Sequence, residues 1–230
     1  MTPEEVVTLW RSEIADVATP SLWSDTEAYS YLDDAQTMFC RNTGGIPDST
    51  SSITLLSFSA GDTTFKLDER ILKVRDAYRV SDGRRIPLVN IEDMQKLGMR
   101  FDGKTGPLTT LIIGMDESVA HPYPVPIEAV EVQLVIDRLP LEEISESVPG
   151  TFEIQRIHHR HLMLHMNSLA YLKQDAETFN KSKSSEFKAL FEEYCFKAKM
   201  EKDRRKHKTR VVSYGGIPSV STVSREDKDY

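Results

Sequence analysis

The hydrophobic period of this chain changes twice, from about 3.6 residues to 2 and back again, which admits only folds where sheet follows helix and helix returns. The opening Thr2-Pro3-Glu4-Glu5 supplies an N-cap, a proline where a missing N–H costs nothing, and a glutamate able to close a capping box. Val6, Trp10, Ile14 and Val17 then recur at helical spacing and predict one buried stripe. Ala18 to Leu22, with Pro20, breaks that helix. Ser24 and Glu27 form a second capping box, and Ala28, Leu32, Ala35 and Phe39 give the next helix its apolar face. The pair reads as a helical hairpin ending at Gly44-Gly45, an N-terminal unit over residues 1–45.

From Ser51 the period is two. Leu56, Phe58 and Ala60 alternate up to Gly61-Asp62, Phe65 and Leu67 follow, and Leu72, Val74, Tyr78 and Val80 lead to Asp82-Gly83. Asp-Gly between such runs predicts a two-residue type I′ hairpin with Ile86 and Leu88 on the returning strand. Ile91 to Leu97 predicts a short helix, Leu108 to Ile113 a compact strand, and Val130, Val132, Leu134 and Ile136 alternate most cleanly. Residues 50–140 therefore read as an antiparallel β-domain, a small sandwich or barrel-like sheet.

After Pro149-Gly150 the helical period returns. Ile154, Ile157, Leu164, Leu169 and Leu172 mark one helix; Phe187, Leu190, Phe191, Tyr194 and Ala198 mark a second, with Asn180 as N-cap. Residues 150–210 thus complete a bundle begun by residues 1–45, and 211–230, without a period long enough to bury itself, reads as an extended tail. The fold class is α+β, a helical framework with an inserted β-domain.

Charge narrows the function. The net charge of −7 is concentrated in residues 1–60, which hold nine acids and two bases, whereas the remainder balances. A sequence-independent nucleic-acid binder would present a basic face instead. No apolar run approaches the roughly 18 residues needed to cross a bilayer, and the start of the sequence lacks the basic and apolar regions of a secretory signal. Cys40 and Cys195 stand alone in amphipathic stretches and read as reduced thiols packed as small hydrophobes.

No catalytic constellation is visible. His158, His161 and His165 fall at i, i+3 and i+7, with His159 between, and could face a metal. However, Leu162 follows His161 where a zinc protease places its glutamate, so packing between helices is the expected role. Gly44-Gly45, Gly61, Gly83 and Gly215-Gly216 match neither the dinucleotide fingerprint nor the P-loop. Asp33-Asp34 and Glu192-Glu193 diverge by about 100° on a helix and cannot flank one bond. No cofactor is called for.

The strongest charge feature is Lys197, Lys199, Lys202, Arg204, Arg205, Lys206, Lys208 and Arg210, set against Glu201 and Asp203. It reads either as a solvated helix end that suits the dipole or as a docking segment for an acidic protein surface.

Three stretches carry a family resemblance. They are Leu22-Trp23-Ser24-Asp25-Thr26-Glu27 with Tyr31-Leu32-Asp33-Asp34-Ala35-Gln36; His121-Pro-Tyr-Pro-Val-Pro126 through Arg138-Leu-Pro140; and His158 to Leu164 with Ala170-Tyr171-Leu172 and the run from Asp175 to Asn180. Over about residues 3–200 the chain resembles the head-to-tail adaptor of tailed bacteriophages, also called portal adaptor, head-tail connector or tail tubular protein A. The resemblance implies a non-enzymatic virion subunit, assembled in the host cytoplasm into a ring of typically twelve copies beneath the portal, with tail or nozzle proteins below. DNA would pass through the lumen without specific binding during packaging and ejection. It also implies that the basic run, with Tyr214 and Ile217 of the tail, docks to the portal. Two other readings compete: a metal-dependent hydrolase using His158, His161 and His165, and a nucleic-acid-binding module using Lys197 to Arg210.

Overall fold

A computed structural model describes residues 1–16, 18–96, 103–173 and 179–206. Helix α1 (Pro3–Glu13) starts from Thr2 through the expected capping box, the Glu5 N–H donating to Thr2 Oγ1 at 3.2 Å and the Thr2 N–H to Glu5 Oε2 at 3.0 Å. It ends with Ile14 as its cap, so the stripe is shorter than predicted; Val17 lies outside the described residues. Buried Asp16 organises the turn that follows, accepting from the Leu22 N–H at 2.7 Å and from Arg11 at 2.6 Å. Helix α2 (Asp25–Thr43) is capped by Ser24 and Glu27 as expected. It stops at Gly44, whose φ of +77° is the left-handed conformation that closes many helices.

The chain enters the sheet one residue later. Gly45 comes so close to Arg138 that a Cβ there would lie 3.0 Å from its backbone nitrogen, and only glycine fits. Strands β1 (Ile46–Asp48), β2 (Leu55–Phe58), β3 (Phe65–Lys66), β4 (Ile71–Arg79), β5 (Arg85–Ile86) and β6 (Leu88–Asn90) precede the short α3 (Ile91–Lys96). Then come β7 (Thr105–Gly106), β8 (Thr110–Ile113), β9 (Val119–Tyr123), β10 (Val125–Pro126) and the long β11 (Val130–Arg138). One sheet runs β1-β11-β4-β5, with β2 also paired to β11; a second runs β3-β9-β8-β6; β10 pairs with β7. Leu56, Phe58, Ala77, Ile86, Val132, Leu134 and Ile136 of the first sheet share one apolar cluster with Leu111 and Ala120 of the second, the arrangement of a sandwich.

The sheets are mainly antiparallel, as expected, and include two parallel pairs, β6–β8 and β7–β10. Three expectations are corrected. Asp82-Gly83 sits in a four-residue loop between paired Arg79 and Arg84 rather than in a two-residue turn, because Gly83 N–H returns to the Arg79 carbonyl. Leu88 leaves the hairpin for the second sheet: Pro87 has no N–H for the β4 ladder, and its carbonyl instead accepts from Leu111. Leu72 is exposed, while Ala77 of the same strand is buried, because register shifts against β11 turn the faces of β4; Val80, also exposed, lies just past the strand's end.

The return to helix begins with a single 3-10 turn at Arg156–His158, continues as α4 (His159–Ala170) and ends with α5 (Lys181–Lys206). The buried face of α4 is Leu162, Met163, Met166 and Ala170, not the predicted stripe, for Ile157 and Leu172 are exposed. These residues join Val6, Trp10, Trp23, Leu32, Phe39 and Phe191 in a second apolar cluster formed by the helices. Helix α5 is capped by Asn180 as expected, whose Oδ1 accepts from the Lys183 N–H at 3.0 Å. The predicted tail over 211–230 lies outside the described residues.

Candidate partner-docking surface

Helix α5 packs on α4 and α2 through Ser184, Phe191 and Cys195, with Phe187, Tyr194 and Ala198 half-buried beside them. The buried Ser184 hydroxyl donates to the Ser168 carbonyl at 2.7 Å, and Tyr171 stacks on Phe187 at 5.8 Å. These contacts set the rotation of α5 and hence where its cations point.

The basic run divides accordingly. Lys202 turns inward and donates to the carbonyls of Thr43, Gly44 and Gly45, three of the acceptors left open where α2 ends. Arg205 lines a cavity of about 400 Å³ with Phe39, Ile46, Pro47, Ile154 and His158, at the seam between helices and sheet. Lys197 is exposed and paired with Glu193 at 2.6 Å, an i,i+4 contact within the helix. Lys199 and Arg204 are exposed. Nothing is described of the Lys206 side chain, and Lys208, Arg210, Tyr214 and Ile217 lie outside the described residues.

That seam is fastened by ions that sequence reading missed. Arg138, at the end of β11, binds Asp48 of β1 through Nε at 2.5 Å and Glu153 through Nη1 at 2.6 Å. Glu153 also accepts from the backbone N–H of Leu141 and Glu142, and its own N–H donates to Gln36 Oε1 of α2 at 3.3 Å. Burial pushes the Asp48 carboxyl up, but donors at Ser51, Thr50 and Arg138 outweigh it and hold the group well below the usual carboxylate range. Glu153 is likewise lowered, burial being overcome by Arg138 and the two backbone donors. The only signal in the sequence was the Arg138-Leu-Pro140 stretch of the family resemblance.

The histidines do not converge. His158 Nδ1 meets the Tyr194 hydroxyl at 2.8 Å, while His161 stacks on the same ring at 3.7 Å. His165 Nε2 pairs with Asp34 at 2.8 Å, and His159 lies between the carbonyls of Met1 and Ile154. Burial lowers the pKa of His158, His159 and His161, favouring the neutral ring. Among the described residues no group of three His, Cys, Asp or Glu side chains could hold a metal, so the hydrolase reading lacks the geometry it requires. Cys40 and Cys195 are buried free thiols, pushed by burial up to about 12 and about 11, and are inert as nucleophiles near neutrality.

Fold and surface together define a two-core α+β protein whose charged C-terminal helix is tied into its own framework. The model of the SU10 adaptor protein family matches residues 1–213, and the chain belongs to that family. Among curated proteins none matches. Family membership makes the chain a phage structural adaptor, a virion protein that engages other phage structural proteins. Among the described residues, no helix is long and apolar enough to cross a membrane.

Proposed function

We propose that this adaptor is a head-to-tail connector, a non-enzymatic subunit that forms a ring, typically of twelve copies, between the portal and the tail or nozzle proteins. The observation that carries the reading is the family match over residues 1–213. The order of helices, strands and returning helices supports the reading. In this reading residues 1–45 and 150–210 form the framework, 50–140 the inserted β-domain, and the ring gives DNA passage during packaging and ejection. Acidic groups lining a lumen would keep phosphates from adhering.

Portal docking falls to the C-terminal region: Lys197, Lys199, Lys202, Arg204, Arg205, Lys206, Lys208, Arg210, Tyr214 and Ile217. With Lys202 held by the subunit's own carbonyls and Arg205 exposed where it lines the cavity, the helical part of this set aims the segment and the residues beyond Lys206 make the contact. Electron microscopy of the protein mixed with the portal of its own source phage tests the proposal. Rings added at one end of portal particles are the expected result; no association across a range of salt concentrations would overturn it.

A further inference from the structure

The outer face of α5 carries Ala189, Leu190, Phe196 and Met200, with Phe196 65% and Met200 43% exposed. At 100° per residue Phe196 and Met200 lie opposite Phe191, which packs into the core, so this face points away from its own subunit. The C-terminal part of the helix is also basic. Residues 196–206 hold six bases and two acids, and with Lys202 turned inward and Arg205 on the side of the cavity, Lys197, Lys199 and Arg204 flank the apolar pair.

A surface of opposite character lies elsewhere on the bundle. Helix α1 packs on α2 and α4 but not substantially on α5, so α1 and α5 occupy the two different grooves of the α2–α4 pair. Around α1 and the start of α2, Glu4, Asp25 and Glu146 all stand close enough to act on the Tyr29 phenol, adding to the effect of its burial. The 141–148 loop is tied to α2 by the Ile144 N–H on Asp33 at 2.8 Å and by Thr26 on Glu146 at 2.6 Å. That loop adds Glu142 and Glu143 to the acidic field and exposes Val148 by 63%. Residues 1–45 hold eight acids against two bases.

We propose that the partner of the outer α5 face is a second copy of this chain, with Phe196 and Met200 seated on the acidic surface of Glu4, Asp25, Glu143, Glu146 and Val148 of its neighbour. The proposal rests on the ring-forming reading and specifies its subunit contact. Two unlike surfaces on different sides of one subunit make a head-to-tail contact, which closes into a ring when the rotation per copy divides a full turn. Opposite charge fixes register and speeds encounter, and the apolar pair supplies the desolvated centre. The segment after Lys206 is thereby left for the portal.

Charge reversal tests the contact. The side chains of Lys199, Arg204, Glu4, Glu143 and Phe196 are all exposed, so K199E/R204E, E4K/E143K and F196E are expected to fold with nearly unchanged thermal midpoints. Assembly is followed by mass photometry with and without the source phage's portal. Each of the three variants is expected to need about tenfold more protein to assemble, and the chain carrying both reversals to recover most of the loss, since every contact then pairs reversed with reversed. Wild-type rings that tolerate all three variants, or a combined variant no better than its parents, would overturn this contact and leave the connector reading standing. Wild-type protein that never assembles, alone or on portal, would overturn both.

Discussion

The two cores of this molecule are built from different materials. The sheet cluster is aliphatic and aromatic, with Leu56, Phe58, Leu111, Val132, Leu134 and Ile136 almost wholly buried. The helical cluster encloses polar groups as well: Trp10 Nε1 donates to Asn167 Oδ1 at 2.8 Å, Ser184 to the Ser168 carbonyl, and His165 to Asp34. A strand already has its neighbours fixed by ladder hydrogen bonds, so its core needs only volume and alternation. Packed helices can slide and rotate, and directed polar contacts select one arrangement among several of similar apolar burial.

Replacements can break that contrast at its joint. Arg138→Met should be the most damaging, costing about 3–5 kcal/mol, because it leaves Asp48 and Glu153 as unpaired carboxylates in a largely buried place. Urea denaturation at neutral pH measures it, and a loss under 1 kcal/mol would show that the seam is not held by ions. Leu134→Ala, in the centre of β11 with no exposure, should cost about 3 kcal/mol through cavity formation. Trp10→Phe keeps most of the apolar volume and strands Asn167; about 1–3 kcal/mol is expected, and Trp10→Phe combined with Asn167→Leu should recover part of it. If the combined variant is no more stable than the single one, the polar contact does not specify the helical core.

The two regions should also part on acidification. His158, His159 and His161 are lowered from the ordinary 6.5, so the unfolded chain takes up protons first and the stability they confer is complete above that value and lost as pH falls below it. Asp48 and Glu153 are lowered from the ordinary carboxylate range, and their contribution disappears only at lower pH, as the solution passes below that range. Hydrogen exchange read by segment should therefore show α4 and α5 loosening between pH 7 and 5 while β11 stays protected until near pH 4. Simultaneous loosening would argue that the cores are one cooperative unit. Ser24→Ala is expected to be the smallest change, about 1 kcal/mol from a lost helix cap.

What could be read in the sequence was local. Both capping boxes act over three residues, and the alternation along β11 reports a buried face directly. The stripe of α4 is not legible in periodicity because His165, Asn167 and Ser168 are buried, and polarity there reflects partners 131 residues away or on another helix rather than solvent. Strand β1 has no legible signal, since three residues containing Pro47 have no period, and its place depends on Gly45 meeting Arg138. In the basic run, charge was legible and direction was not. Which cations turn inward follows from the rotation of α5, and Lys202 reaches carbonyls more than 150 residues earlier in the chain.

That lysine makes the end of α5 a mechanical anchor. A load entering the chain at Lys206 meets Lys202 within one turn, and Lys202 holds the last carbonyls of α2 and the first of the strand entrance. From Gly45 the path runs into Arg138 and the spine of the sheet. A pull on the C-terminal segment is therefore shared between both cores at their junction instead of peeling one helix from the bundle.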